Sequence, residues 1–173
     1  MSRLIYVPQF PQPMRYQQFW AIEFPRQFKK HFDEVIVLGE RFFNQFTNPM
    51  ESAGMFSSIS NSIQFEQNQI IEFMDLKISD DDYLFFSDIS FPGFFANILY
   101  HKPVKNAFAY CHATSLNRGD YFDKVRYSKH PCETAHSKLF KKVFVGSKYH
   151  QIKLGWHNTE VVGLPVPPFE TFK

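Results

Sequence analysis

"KNAFAYCHATSLNRGDYF", residues 105–122, decides the fold. It opens with an apolar run from Ala107 to Cys111, then turns at His112 into hydroxyls, an amide, a glycine and charges. A strand that is apolar at successive positions, not at alternate ones, is buried on both faces, which is the habit of parallel sheets covered by helices. The same grammar recurs in "RLIYVPQF" (3–10), "EVIVLG" (34–39), "DDDYLFFSD" (80–88), "VFVGS" (143–147) and "TEVVGLPVPP" (159–168).

Helical patterns separate these runs. "YQQFWAIEFPRQFKKHF" (16–32) places Phe19, Ile22 and, one position off ideal spacing, Phe28 and Phe32 on one face, with Pro25 as a kink or restart. "FEQNQIIEFMDLKI" (65–78) repeats the spacing at Phe65, Ile70, Phe73 and Met74. A short helix follows Pro92, another starts at Pro131, and "KYHQIKLG" (148–155) stops at Gly155. Strand, helix and strand within residues 3–39 match one right-handed crossover unit. Residues 42–64, rich in Asn, Ser, Gly and Pro, read as a long, partly mobile insertion. The expected fold is α/β: one Rossmann-like three-layer domain over residues 1–173, with a mostly parallel six-stranded sheet.

Composition bounds the function. With 173 residues, 44% of them hydrophobic, the chain supports one core. Twenty-two phenylalanines (Phe 22) predict an aromatic-rich core, and any ring left outside it marks a partner surface. Nineteen basic against 17 acidic side chains give +2, too little to predict nucleic-acid binding from charge alone. The lysines crowd residues 124–153, where they either meet an acidic substrate or form a solvated helix face. Cys111 and Cys132 are the only cysteines, and neither a secretory leader nor an apolar segment of about 18 residues is visible, so a reduced, cytoplasmic protein without a transmembrane segment is expected.

In an open parallel sheet, ligands meet the residues just beyond the carboxyl ends of the strands. Those are Gln9 and Phe10, Gly39, Asp88, His112 with Thr114 and Ser115, Ser147 with Lys148, and Pro165. His112 suits a general base or a donor to a hydroxyl, because imidazole titrates near neutrality. It equally suits a strand-end histidine bonded to a loop carbonyl. Asp88 either holds a hydroxyl-bearing substrate or caps the following turn. Thr114, Ser115 and Asn117 fit hydroxyl or phosphate binding, and also any turn. His130, Cys132 and His136 are ligand types, with Cys132 and His136 one helical turn apart, but they do not form HExxH and no second pair at zinc spacing exists; no metal is expected. "YVPQFPQPMRYQQ" carries prolines and glutamines where a dinucleotide binder carries glycines, which argues against a dehydrogenase.

"DISFPGFFANILY", "AYCHATSLNRGDYFDKVR", "HSKLFKKVFVGSKYHQIKL" and "TEVVGLPVPP", over residues 83–168, together resemble the N-terminal domain of GT-B glycosyltransferases, closest in manner to the retaining family 4, or group 1, type. The resemblance implies a hexosyltransferase whose N-terminal domain shapes the acceptor site. A C-terminal domain, absent from this chain, would bind the nucleotide-sugar donor, a co-substrate in a reaction without cofactor or metal. By resemblance, His112 is the catalytic group reaching the donor sugar; Asp88, from its place at a strand end, is expected as a supporting or acceptor-binding residue. Thr114, Ser115 and Asn117 line the same cleft, and Gln9, Phe10, Arg15 and Tyr16 flank the reaction centre. The acceptor is a sugar, a lipid or another hydroxyl compound. The family's acidic E-x7-E pattern is not found, and "PQFPQPMRY" stands in place of its glycine-rich first loop. The chain alone is therefore expected to be inactive. The alternatives are a stand-alone, non-catalytic domain that binds a small molecule or protein, and a glycosyltransferase that modifies nucleotides or DNA, for which nucleic acid is the partner.

Overall fold

The computed structural model describes residues 2–12, 16–46, 55–119 and 121–166. Its elements are β1 (Arg3–Val7), α1 (Tyr16–Phe28), β2 (Glu34–Val37), α2 (Met55–Asp75), β3 (Tyr83–Phe86), β4 (Asn106–Cys111), α3 (Arg126–Ser137), β5 (Lys142–Val145), α4 (Lys148–Leu154) and β6 (Thr159–Val161). Short 3-10 turns span Glu40–Phe46, Phe95–Tyr100 and Asp123–Val125. All six strands are parallel, in the order β2-β1-β3-β4-β5-β6. The α/β, Rossmann-like three-layer expectation holds, and the sheet is wholly parallel.

The chain steps one way from β1 to β2 and the opposite way from β3 onward. Right-handed crossovers therefore send α1 to one face and the later connections to the other. The side chains record that division. Tyr6 and Phe85 meet Phe24 and Phe28 of α1, and Tyr110 meets Trp20, with ring centroids 5.3–6.1 Å apart. On the opposite face Ile5, Val7, Leu84, Phe86, Ala109 and Val143 join Phe73, Phe95, Leu99, Phe140, Leu154 and Trp156 in the main apolar core. Alternate positions of each strand thus face an aromatic layer and an aliphatic one. Phe108 and Phe144 lie parallel, 6.3 Å apart, on the aromatic side, where both stay half-buried.

Two expectations are corrected. α2 begins at Met55, so the last ten residues of what composition assigned to the insertion (42–64) are helical, and Glu40–Phe46 is a 3-10 helix; residues 47–54 of that stretch lie outside the described residues. Serine and asparagine are weak helix formers, but Ser62, Phe65, Glu66, Gln69 and Phe73 recur on one buried stripe, and tertiary burial outweighs propensity. α3 starts at Arg126, with Pro131 inside it. The carbonyl that Pro131 leaves without a helical partner belongs to Tyr127, which is 83% exposed, so water can take its place. The helical turn beyond Pro92 begins at Phe95, and α4 ends at Gly155 as its sequence indicates, with φ of 64°.

Polar side chains on the buried stripe of α2 fasten the strand ends. Gln69 Nε2 donates to the carbonyls of Pro8 (2.8 Å) and Leu38 (3.1 Å), just beyond β1 and β2. At the opposite edge, Arg3 forks onto Asp82 with contacts of 2.9 and 2.6 Å, so the third aspartate of the acidic run is buried and paired. Gln69→Leu keeps the volume but orphans two buried carbonyls. Urea unfolding is expected to show a loss of about 1–3 kcal/mol; an unchanged midpoint would mean that those carbonyls find other partners.

Candidate functional site

The strand order reverses between β1 and β3, and the crevice beyond those strands is the usual ligand position in an open α/β sheet. Here it is filled. Phe65, Glu66 and Gln69 of α2 enter it beside Gln9, Phe10, Asp88 and Pro92, leaving a cavity of about 10 Å³. Phe10 packs on Phe65 with centroids 5.9 Å apart, and the Gln9 amide N–H donates to Ser87 Oγ at 2.8 Å. Gln9 and Phe10, expected beside the reaction centre, are plugs of this crevice instead.

An open cleft of about 320 Å³ lies one position along, beyond β4 and β5. Tyr110, His112, Asn117, Gly146, Ser147, Tyr149, His150, Lys153 and Leu164 line it. β4 delivers His112 to this wall, and α1 supports the imidazole from behind. The Tyr16 ring lies 4.4 Å from it and the Trp20 indole 5.9 Å, nearly perpendicular. The segment after β6 closes the opposite side, because Tyr110 donates its hydroxyl to the Gly163 carbonyl (3.0 Å) and Trp20 Nε1 donates to that of Pro165 (2.8 Å). Gly146 keeps the floor open. A Cβ there would stand 3.0 Å from the Tyr110 hydroxyl.

Among the described residues the lining includes no carboxylate. Lys153 Nζ donates to Asn117 Oδ1 at 2.8 Å, which holds the ammonium at the cleft. His150 is pushed below the ordinary imidazole value, first by burial and then by the charges of Lys153 and His112. Its Nε2 has no hydrogen-bond partner among the described residues. Burial raises the Tyr110 phenol to about 12, so it stays a neutral donor. The cleft offers donors and positive potential to whatever enters it.

Behind this wall stands a buried polar cluster. Glu133, 1% exposed, accepts from Ser90 Oγ (2.7 Å), Ser115 N (3.0 Å) and Ser115 Oγ (2.8 Å). Glu66 accepts from the backbone N–H groups of Phe94 and Phe95. Lys129 donates to the Pro92 carbonyl at 2.8 Å, over the Phe122 ring, and is charge-coupled to Glu66, Asp88 and Glu133. Asp88 accepts from the backbone N–H of Ser90 at 2.9 Å, and the backbone N–H of His112 also favours its charged form. Burial lifts its carboxyl to about 8, against the pull of those N–H groups and of Lys129. The turn-capping reading of Asp88 is the one its contact with Ser90 matches.

The predicted site residues therefore divide. His112 and Asn117 line the open cleft, with Tyr16 packed behind His112. Thr114 and Ser115, expected to line it, are buried; Thr114 serves the turn to Leu116 and Ser115 serves Glu133. Asp88 belongs to the buried cluster, and Arg15 lies outside the described residues. Tyr149, His150 and Lys153 were missed, although His150 and Lys153 are three apart on a short helix that follows a strand end, a spacing that puts both on one face. His130 lies 3.4 Å from Glu133, His136 2.9 Å from Asn97, and Cys132 is exposed, so those three side chains go separate ways. Among the described residues no group of three or more His, Cys, Asp or Glu could hold a metal, and no helix is long and apolar enough to cross a membrane.

Two outcomes follow from the buried cluster. Glu133→Ala strips Ser90 and Ser115 of their acceptor and is expected to cost about 3 kcal/mol or more in urea unfolding, with Glu133→Gln milder; equal stability would deny the carboxylate its structural role. Because Asp88 folded holds a proton up to about pH 8 that the unfolded chain releases near its ordinary 3.8, its contribution to stability falls as pH rises through that window. The melting temperature of wild type is expected to drop relative to Asp88→Asn between about pH 5 and about pH 8, and a constant difference would show the carboxyl ionised throughout. No family model, curated protein or solved structure matches this chain, so the function of the cleft has to come from its own geometry and chemistry.

Proposed function

We propose that this chain is the acceptor-side half of a glycosyltransferase, working with a donor-binding domain that holds a nucleotide sugar. One observation carries the reading: an imidazole, His112, stands in the wall of an open cleft at the carboxyl edge of a parallel sheet, propped by Tyr16 and Trp20. A hydroxyl acceptor of moderate size fits a volume of about 320 Å³. The resemblance of residues 83–168 to GT-B N-terminal domains supports the same assignment.

In this reading His112 touches the reacting groups, either accepting the acceptor's hydroxyl proton or donating to a hydroxyl of the transferred sugar. Asn117 and Ser147 orient the acceptor. Asp88, its carboxyl raised to about 8 by burial, stays out of the reaction and caps the turn at Ser90. The donor domain closes over the cleft, excluding water from the activated sugar. The sugar passes to the acceptor oxygen as the bond to the leaving nucleoside diphosphate breaks, and the acceptor proton leaves through His112 or solvent.

The test joins the chain to its donor-binding domain and follows nucleoside diphosphate release from a panel of nucleotide sugars and acceptors. His112→Ala is expected to lower turnover about 100-fold or more, with the melting temperature unchanged. Wild-type turnover in that variant overturns the role of His112. Binding of small molecules without transfer from any donor would favour a non-catalytic binding domain.

A further inference from the structure

Resting on the acceptor-site reading, we propose that the cleft recognises a phosphorylated acceptor, whose phosphate is held by Lys153, His150, Asn117 and Ser147 while its reacting hydroxyl faces His112. Among the described residues the other half-buried basic groups are matched by acids or carbonyls: Arg3 by Asp82, Arg126 by Asp123, Lys129 by Glu66, Asp88 and Glu133, and Lys102 by the carbonyls of Phe73, Met74 and Leu76, while neutral amide oxygens hold only exposed lysines such as Lys30, Lys141 and Lys148. The cleft is different. Among the described residues Lys153 has no acidic partner, only the neutral Asn117 amide oxygen, and the charges that bear on His150 are those of Lys153 and His112. Three side chains able to carry positive charge thus converge from the β4 loop and α4.

The rest of the lining is also donor-rich. The Ser147 hydroxyl, whose oxygen already accepts from the His150 N–H, keeps its own proton to give, and Asn117 keeps its NH₂ while its oxygen serves Lys153. A phosphate monoester supplies the missing acceptors and negative charge in one group. Tyr149, 75% exposed at the rim, offers an aromatic surface to the ring or chain that carries the phosphate.

Proton linkage follows from the same geometry. The groups facing His150 are Lys153 from its own helix, His112 beyond β4 and the Tyr110 phenol from β4, none of them acidic at neutral pH. A bound oxyanion opposes the charges that now discourage protonation of His150, so anion binding takes up protons and tightens as pH falls. Sulfate, which does not titrate near neutrality, isolates the protein's share of that effect.

The experiment titrates the chain with inorganic phosphate and with sulfate at low ionic strength, following the imidazole resonances by NMR. Saturable shifts at His112 and His150 are expected, with sulfate affinity rising from about pH 8 to about pH 6. Lys153→Met is expected to weaken binding about tenfold or more, whereas Lys148→Met, an exposed lysine on the same helix, leaves it unchanged. Absence of saturable shifts, or equal weakening by both variants, overturns the phosphate site. In the joined enzyme, Lys153→Met is expected to raise KM for a phosphorylated acceptor and not for the nucleotide sugar; a rise confined to the nucleotide sugar shows that the site holds the donor's diphosphate and overturns the acceptor assignment. Transfer whose KM for every acceptor ignores Lys153 overturns the phosphate site and leaves the transferase reading standing. Phosphate binding without transfer from any donor retires the transferase reading, and with it the acceptor role, while the anion site remains.

Discussion

The buried carboxylate of Glu133 is the contact on which the site geometry depends. It gathers Ser90 from the loop beyond β3 and Ser115 from the loop beyond β4, and it does so from α3, a helix that otherwise shows few apolar residues. A carboxylate taken out of water is tolerable only when its lone pairs are filled, and here two hydroxyls and a backbone N–H fill them. Asp88 repeats the device one step nearer the cleft. Its hydrogen bond from the Ser90 N–H holds the first of those loops, and burial together with the charge of Glu133 raises its carboxyl. The loop that carries the cleft imidazole is thus held by buried polar groups, while Tyr16 and Trp20 pack against the ring itself.

The same economy explains where the cleft lies. Right-handed crossovers and one reversal of direction leave a crevice between β1 and β3, but α2 sends Phe65, Glu66 and Gln69 into it. Gln69 then satisfies the Pro8 and Leu38 carbonyls, and Glu66 satisfies the N–H groups of Phe94 and Phe95. What is spent on closing that crevice leaves the next one, beyond β4 and β5, as the open space. Among the described residues the open cleft is lined by a lysine, two histidines and neutral side chains.

Strand identity was legible because burial on both faces forces successive apolar residues, a signal that survives in "NAFAYC" and "KVFV" without knowledge of neighbours. Helix boundaries were less so. The start of α2 depends on a stripe of Ser62, Glu66 and Gln69 whose partners are loops far along the chain, and no local pattern announces that such polar residues will be buried. Proline misled for a similar reason: Pro131 reads as a start, but an exposed Tyr127 lets the helix begin a turn earlier. Within the site, His112 was legible from its place at a strand end. Thr114 and Ser115 occupy the same loop and differ from it only in which way their side chains fall.

The amino-acid order alone therefore determined a parallel α/β sheet, the strand ends that carry polar groups, and a histidine at one of them, because these follow from local periodicity and from the chemistry of single residues. Only the tertiary structure decided which strand ends open onto solvent. It also decided that Asp88 is a neutral strut, and that His150 and Lys153 stand beside His112. Those outcomes depend on desolvation and on charges brought together from residues distant in the chain, and neither quantity exists until the layers have packed.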